Sequence, residues 1–273
     1  MGWISNVVGR AVLLGCYRRW RERTSDLQNQ IVTTLDAGTI LECARKLGIL
    51  RKNTVVFATE DEPAVLMDYC VYSHLRDGLN AVQRYFTEYP PQPGSFDDTV
   101  SKAMVAARYR LLRLTGLAPG IGVQVSDLQE DQTLFLVDRN CSQTTGAGLI
   151  LATRTLSVNG FYMTTGAALP VPDEIGTRMI RMLKSRADVY GDRPAADQRR
   201  REAEAAFSTA VIRACLAAGA SSAIGYEDPF ESPRSSASAP PDRGIRRAPV
   251  PGTTPDWSSP HAIRPGHPGR RRQ

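Results

Sequence analysis

The stretch from Ala107 to Val171 constrains the fold more than any other part of the chain. Short apolar runs (residues 109–114, 121–125, 134–137, 149–152 and 161–163) alternate with turn-forming residues at 116–122 around Pro119, at Glu130-Asp131, at 146–148 and at Asn159-Gly160. Strand and turn signals repeated at this spacing predict a small, mostly antiparallel sheet or barrel. Asn159-Gly160 is the strongest hairpin signal, because both residues tolerate the positive φ that a type I′ turn requires.

Helical patterns flank this module. Asp36 can cap a helix from Ala37 to Leu47 that carries Ile40, Leu41, Ala44 and Leu47 on one face and stops at Gly48. That segment has the cadence of the first helix of a helix-turn-helix. The β-branched and aromatic run Thr54-Val55-Val56-Phe57 then predicts a strand where a recognition helix would have to begin. Pro63, behind the acids Glu60, Asp61 and Glu62, starts a further helix with Val65, Leu66, Tyr69, Cys70 and Tyr72 inward. Residues 79–88 form the next helix, ending at Pro90-Pro91. Ser95 with Asp98 three residues on is a capping pattern for another. After the module, Val171-Pro172-Asp173-Glu174 opens a helix, and a charged connector over 186–201 precedes a last one over 202–218.

The two ends differ in kind. Residues 1–25 place Trp3, Ile4, Val7, Val8, Ala11 and Leu14 at helical spacing before Arg18, Arg19, Arg21 and Arg23. Arg10 interrupts the apolar region and the charges follow it, which is the wrong order for a secretory signal. Asn6 stands where myristoylation wants a hydroxyl. A membrane-surface helix is the alternative to a packed N-terminal helix, and the packed helix is the reading taken. Residues 221–273 are rich in Pro, Arg, Ser and Gly with few aliphatic residues, so they are expected to be disordered.

Charge and cysteine usage bound the function classes. The net charge of +6 comes with 30 arginines against 4 lysines and lies toward the ends of the chain. It therefore implies at most weak, non-specific nucleic-acid binding. Five cysteines, scattered and without a CxxC pair, build neither a disulfide framework nor a zinc site. No cofactor and no metal are expected, and the location expected is the cytoplasm. No run of about 18 apolar residues predicts a membrane span.

Candidate chemistry is sparse. Cys70, His74 and Asp77 can share a helix face, and a thiol beside an imidazole is a nucleophile or half of a metal site. Cys70 and His74 with Asp68 are the candidate catalytic residues of a hydrolase-like enzyme working in a cleft between helices and sheet. Against that stands the plainer arrangement of Cys70 in the core and His74 at the helix edge. The acids Glu60, Asp61, Glu62 and Asp68 offer carboxylates, although acids at a helix start are usually solvated. Thr144-Thr145-Gly146-Ala147-Gly148 departs from the P-loop pattern and precedes a strand, so a plain turn is expected. Ser142 and Ser157 lack a nucleophile-elbow context. Tyr109, Phe135, Phe161 and Tyr162 would stack bases on an OB-type barrel, but strand aromatics are more often core.

The ordered series ILECARKLGIL, ATEDEPAVLMDYCVY, QRYF, PGSFDDT, ARYRLL, PGIGVQVSDL, FLVDR, GLILATR and GFYMTTGAALP resembles a group of uncharacterised bacterial proteins. Many members of that group end in a SEC-C zinc motif. The resemblance covers roughly residues 30–171 and implies no activity. Here no cysteine follows Gly219, so zinc binding does not carry over.

Together these readings predict an α+β chain in three parts. Residues 1–30 form a basic helical segment. Residues 31–220 form a globular domain with its β module at about 107–171, and 221–273 form the tail. The function expected is a non-enzymatic cytoplasmic binding or adaptor protein acting through the β module on an unknown protein partner. The alternatives are the Cys70/His74/Asp68 enzyme and a nucleic-acid binder.

Overall fold

A computed structural model describes residues 7–59, 61–144, 146, 148–187 and 196–219. The expected disorder of the tail falls on residues outside these. The architecture is α+β: a five-stranded barrel half-wrapped by helices.

The helical shell comes first. It comprises α1 (Val7–Thr33), α2 (Ala37–Leu47), α3 (Glu62–Tyr72), α4 (Ala81–Glu88) and α5 (Phe96–Val105), with a short hairpin of β1 (Leu50–Arg51) and β2 (Thr54–Val55) between α2 and α3. Side-chain caps set the starts of three of these helices. Asp36 accepts a hydrogen bond from Thr39 N (2.8 Å) at α2, Asn80 and Gln83 form a reciprocal capping box at α4, and Ser95 Oγ accepts from Asp98 N (3.1 Å) at α5. The Asp98 carboxylate reaches back one residue further than a capping box would, to Gly94 N (2.8 Å). α1 is a packed helix, with Leu13, Trp20, Leu27 and Ile31 buried against α3, α4 and α5.

The barrel comprises β3 (Arg108–Ala118), β4 (Gly122–Asp127), β5 (Gln132–Leu136), β6 (Ile150–Val158) and β7 (Phe161–Val171), with the single-turn α6 (Cys141–Thr144) between β5 and β6. Its closed order is β3-β4-β5-β7-β6, with β3 returning to β6. The pairings are antiparallel except at the β5–β7 seam, which is parallel and rests on Leu136↔Tyr162. This is the strand order of an OB-type Greek-key barrel. The predicted Asn159-Gly160 turn joins β6 to β7 with both φ angles positive, 21° and 92°. Two helices follow, α7 (Asp173–Ala187) and α8 (Ala196–Ala217). α8 begins six residues before the expected helix, so part of the predicted connector is helical.

Burial follows the two-sided geometry of the strands. Leu112, Leu114, Val123, Val125, Leu134, Leu136 and Leu151 fill the barrel interior. Their strand neighbours Leu111, Ile150 and Ala152 face outward into a core shared with α2, α3 and α8. β3 and β6 are therefore apolar on both faces near their pairing, whereas β4 and β5 alternate. The outward residues Gln124, Ser126, Thr133 and Phe135 are exposed or half-buried. The helices cover β6, β7 and the start of β3, and leave the β4–β5 face uncovered.

Candidate functional site

α3 is the element to build from, because it carries Asp68, Cys70 and, just past its end, His74. Residues 68 and 70 stand about 200° apart on a helix, so they leave opposite sides of α3. Cys70 turns toward α2 and is fully buried, with Cys43, also fully buried, as its neighbour. The hydrogen bond with Cys43 and the burial push its thiol far above the ordinary range, which keeps it protonated and unreactive. His74 is 6 % exposed, and its Nδ1 is buried without a hydrogen-bond partner among the described residues. Burial lowers its pKa, with Lys46 and Arg84 lowering it further against Glu42 and Asp36.

Asp68 faces the barrel. Its Oδ2 accepts from Arg154 Nε (3.2 Å) and its Oδ1 from Thr165 Oγ1 (2.5 Å). Arg154 is 2 % exposed and is the centre of a buried polar network. Its Nη2 donates to Ser73 Oγ (2.6 Å) and its Nη1 to Glu204 Oε1 (3.5 Å), while the guanidinium lies 4.9 Å from the Tyr72 ring and 5.5 Å from that of Tyr109. Ser208 Oγ donates to Ser73 Oγ (2.9 Å), and Glu204 Oε1 also accepts from Tyr109 N (3.1 Å). Arg154 thus ties β6 to α3, β3 and α8, and its partner Asp68 adds β7 through Thr165.

Strand alternation places it: Arg154 pairs in register with Tyr109 of β3 and shares the outward side of β6 with Ile150 and Ala152, toward the helices, while the β6–β7 register shift between Thr153 and Thr155 puts its extra residues, 165–167, in β7. Sequence reasoning passed over Arg154. The available signal was a single arginine inside the strand-forming run ILATRTLSV, because a charge there must be exposed or fully paired.

Glu62 also departs from the expectation of a solvated helix start. It is 4 % exposed and accepts from Ala58 N (2.7 Å), so it closes the loop before α3. Glu60 lies outside the described residues, as do Thr145 and Ala147 of the glycine-containing turn. Of the four strand aromatics, Tyr109 and Phe161 are buried core, while Phe135 and Tyr162 are half-buried.

Two open surfaces stand out among the described residues. The first is the β3–β4–β5 face, with Arg113, Thr115, Gln124, Ser126, Thr133 and Phe135 outward; Arg113 is the only charge among these six. The second is a groove of about 910 Å³ along α8, floored by Met179 and the alanines of α8, with Lys46, Arg178 and Arg213 on its walls. Ser73 reaches it from α3, so the groove floor lies one hydrogen bond from Arg154. Neither surface brings Cys70, His74 and Asp68 together: none of the three lines the groove. Among the described residues, no group of three or more His, Cys, Asp or Glu side chains is placed to hold a metal ion. No helix among them is long and apolar enough to cross a membrane.

Residues 12–207 match the model of a family of unknown function (DUF7986). No curated protein and no solved structure matches. The matched span covers most of the helical shell, the whole barrel and the Arg154 network as far as Glu204 of α8, with Ser208 just past its end.

Proposed function

The chain belongs to that family of unknown function (DUF7986), and from its geometry we propose a non-enzymatic binding or adaptor protein that acts through its β module. The observation that carries this reading is the uneven cover of the barrel. Helices bury β6 and β7, while the outward side chains of β4 and β5 stay accessible on a scaffold fixed by closure. Rigid strands presenting polar side chains hold a contact surface at little ordering cost. The matching face of OB-type barrels holds oligonucleotides or oligosaccharides, a likeness of fold and not of residues.

The chemistry of the face favours a protein partner over nucleic acid. Gln124, Ser126 and Thr133 offer hydrogen bonds, Phe135 offers a partly buried ring, and Arg113 is the lone charge. Nucleic-acid affinity rests on many cations placed along the phosphates, and this face lacks them. The cytoplasmic, bacterial setting expected from the sequence belongs to the same proposal.

The test is affinity purification from the native cell with the wild-type chain and with Ser126→Arg/Thr133→Arg. A partner retained by the wild type and depleted at least tenfold by the variant, at unchanged melting temperature, supports the reading. A partner held equally by both overturns it. So does tight, sequence-selective oligonucleotide binding at physiological salt.

A further inference from the structure

The groove along α8 is independent of the barrel face, and it carries an inference of its own. Its floor is apolar: Met179, Leu75 and the small side chains of Ala205, Ala206, Ala210 and Ala214. Its walls carry Lys46, Arg178 and Arg213 against one acid, Glu202. Lys46 already pairs with Glu42 at 2.8 Å. Arg178 and Arg213 are exposed and have no ion-pair partner among the described residues. A ligand matched to this groove combines aromatic or aliphatic groups with negative charge.

The chain supplies such a segment close to the groove. Residues 224–231 read IGYEDPFE, with Ile224, Tyr226 and Phe230 beside Glu227, Asp228 and Glu231, and no basic residue. The rest of the chain that follows is of opposite character, with eight arginines against two aspartates over 232–273. Ala217, at the end of α8, lines the groove, and Gly219 then adopts φ 71° with its N–H bonded to Leu216 O (3.0 Å). A left-handed cap of this kind turns the chain off the helix axis. The groove runs beside α8 from Glu202 to Ala217, roughly 22 Å at 1.5 Å per residue. Eleven residues from Gly219 to Phe230 span up to about 36 Å when extended. Reach is ample.

We propose that the α8 groove is a docking site for acidic aromatic peptide and that residues 224–231 of the same chain occupy it in cis. Tyr226 and Phe230 fill the apolar floor, while Glu227, Asp228 and Glu231 face Arg178 and Arg213. Any outside ligand of the groove then has to displace this segment.

The experiment uses the full chain and a fluorescent peptide of residues 222–233. A short tether gives an effective concentration on the order of 1 mM. If the peptide binds the open groove at about 10 µM, the tethered segment weakens its binding to the wild-type chain about 100-fold. Tyr226→Ala/Phe230→Ala in the full chain removes the two rings of the competing segment. It is expected to bind the peptide about 100-fold tighter than wild type. Adding Arg178→Glu/Arg213→Glu to that variant is expected to weaken binding at least tenfold at unchanged melting temperature. Equal affinity for wild type and the Tyr226/Phe230 variant overturns the proposal, as does no binding to either. Affinity indifferent to Arg178 and Arg213 also overturns it. Dimerisation of the Tyr226/Phe230 variant by light scattering would give the groove to a second copy, which is likewise a refutation.

Discussion

Replacing Arg154 by methionine tests the central packing argument. Methionine keeps much of the arginine's length and apolar volume, so what the substitution removes is the charge and its donors. Asp68, whose side chain is 5 % exposed, would keep one hydrogen bond from Thr165 and lose its counter-charge. Ser73 keeps its bond to Ser208, and Glu204 is 29 % exposed and still accepts from Tyr109 N, so neither is stranded. The expected loss is therefore that of breaking one buried pair, about 3–5 kcal/mol. For the roughly 200 described residues, that is a fall in melting temperature of about 6–20 °C. Arg154→Met/Asp68→Leu removes both charges and is expected to recover about 2–4 kcal/mol relative to the single variant, because a buried ion pair gains little over apolar replacements. Urea unfolding followed by circular dichroism measures all three chains. A single variant within about 1 kcal/mol of wild type, or a double variant no better than the single, would refute the reasoning.

Other expected outcomes follow from single positions. In the native chain a maleimide should modify the half-buried Cys16 quickly, while Cys43, Cys70 and Cys215, whose thiol is pushed up to about 12 by burial, react only on unfolding; fast labelling of Cys70, read by mass spectrometry, would revive the catalytic reading. The lowered pKa of folded His74 means that the unfolded chain binds its proton first as pH falls. The stability this contributes is complete above about 6.5 and drains away through the folded pKa. His74→Gln should therefore flatten the melting-temperature profile between pH 8 and 5, and an unchanged profile would count against it. A Cβ on Gly122 would sit 2.1 Å from Leu136 O, so Gly122→Ala should lose about 3 kcal/mol in urea. Gly15→Ala, with nothing within 4 Å in mid-α1, should gain about 0.5–1 kcal/mol; equal effects would mean that the β4–β5 contact is looser than described. Oligonucleotide binding should be weak, with each lost phosphate contact lowering the log–log salt slope by about 0.7–0.9.

The barrel was legible where local chemistry decides. The alternation in GVQVSD and QTLFL separates interior Val123, Val125, Leu134 and Leu136 from outward Gln124, Ser126, Thr133 and Phe135. The unbroken apolar runs at the start of β6 and in mid-β3 mark strands buried on both faces. Caps at Asp36, Asn80 and Ser95 and the Asn159-Gly160 turn are likewise local, and three of these four were read from sequence. Closure was not legible, because the parallel β5–β7 seam joins strands separated by α6 and β6 and rests on one residue pair. Nor was the Arg154 network. Its members Asp68, Ser73, Thr165, Glu204 and Ser208 are scattered over about 140 residues, and only the tertiary fold brings them to the arginine.

The same network separates the structural residues from the functional ones. Asp68 looked like a catalytic carboxylate because it shares a helix with Cys70 and precedes His74. The Asp68 carboxylate is buried and accepts at both oxygens, from Arg154 and Thr165, and Arg154 in turn commits Nε, Nη1 and Nη2 to Asp68, Glu204 and Ser73. Cys70, turned toward Cys43 on the far side of α3, stays a thiol. These side chains hold the shell onto β6 and β7, and that cover leaves β4 and β5 bare. The exposed polar face is thus a consequence of where the buried charges are spent: the helices are fixed to one side of the barrel, and the side they leave open is the one on which the proposed contact surface lies.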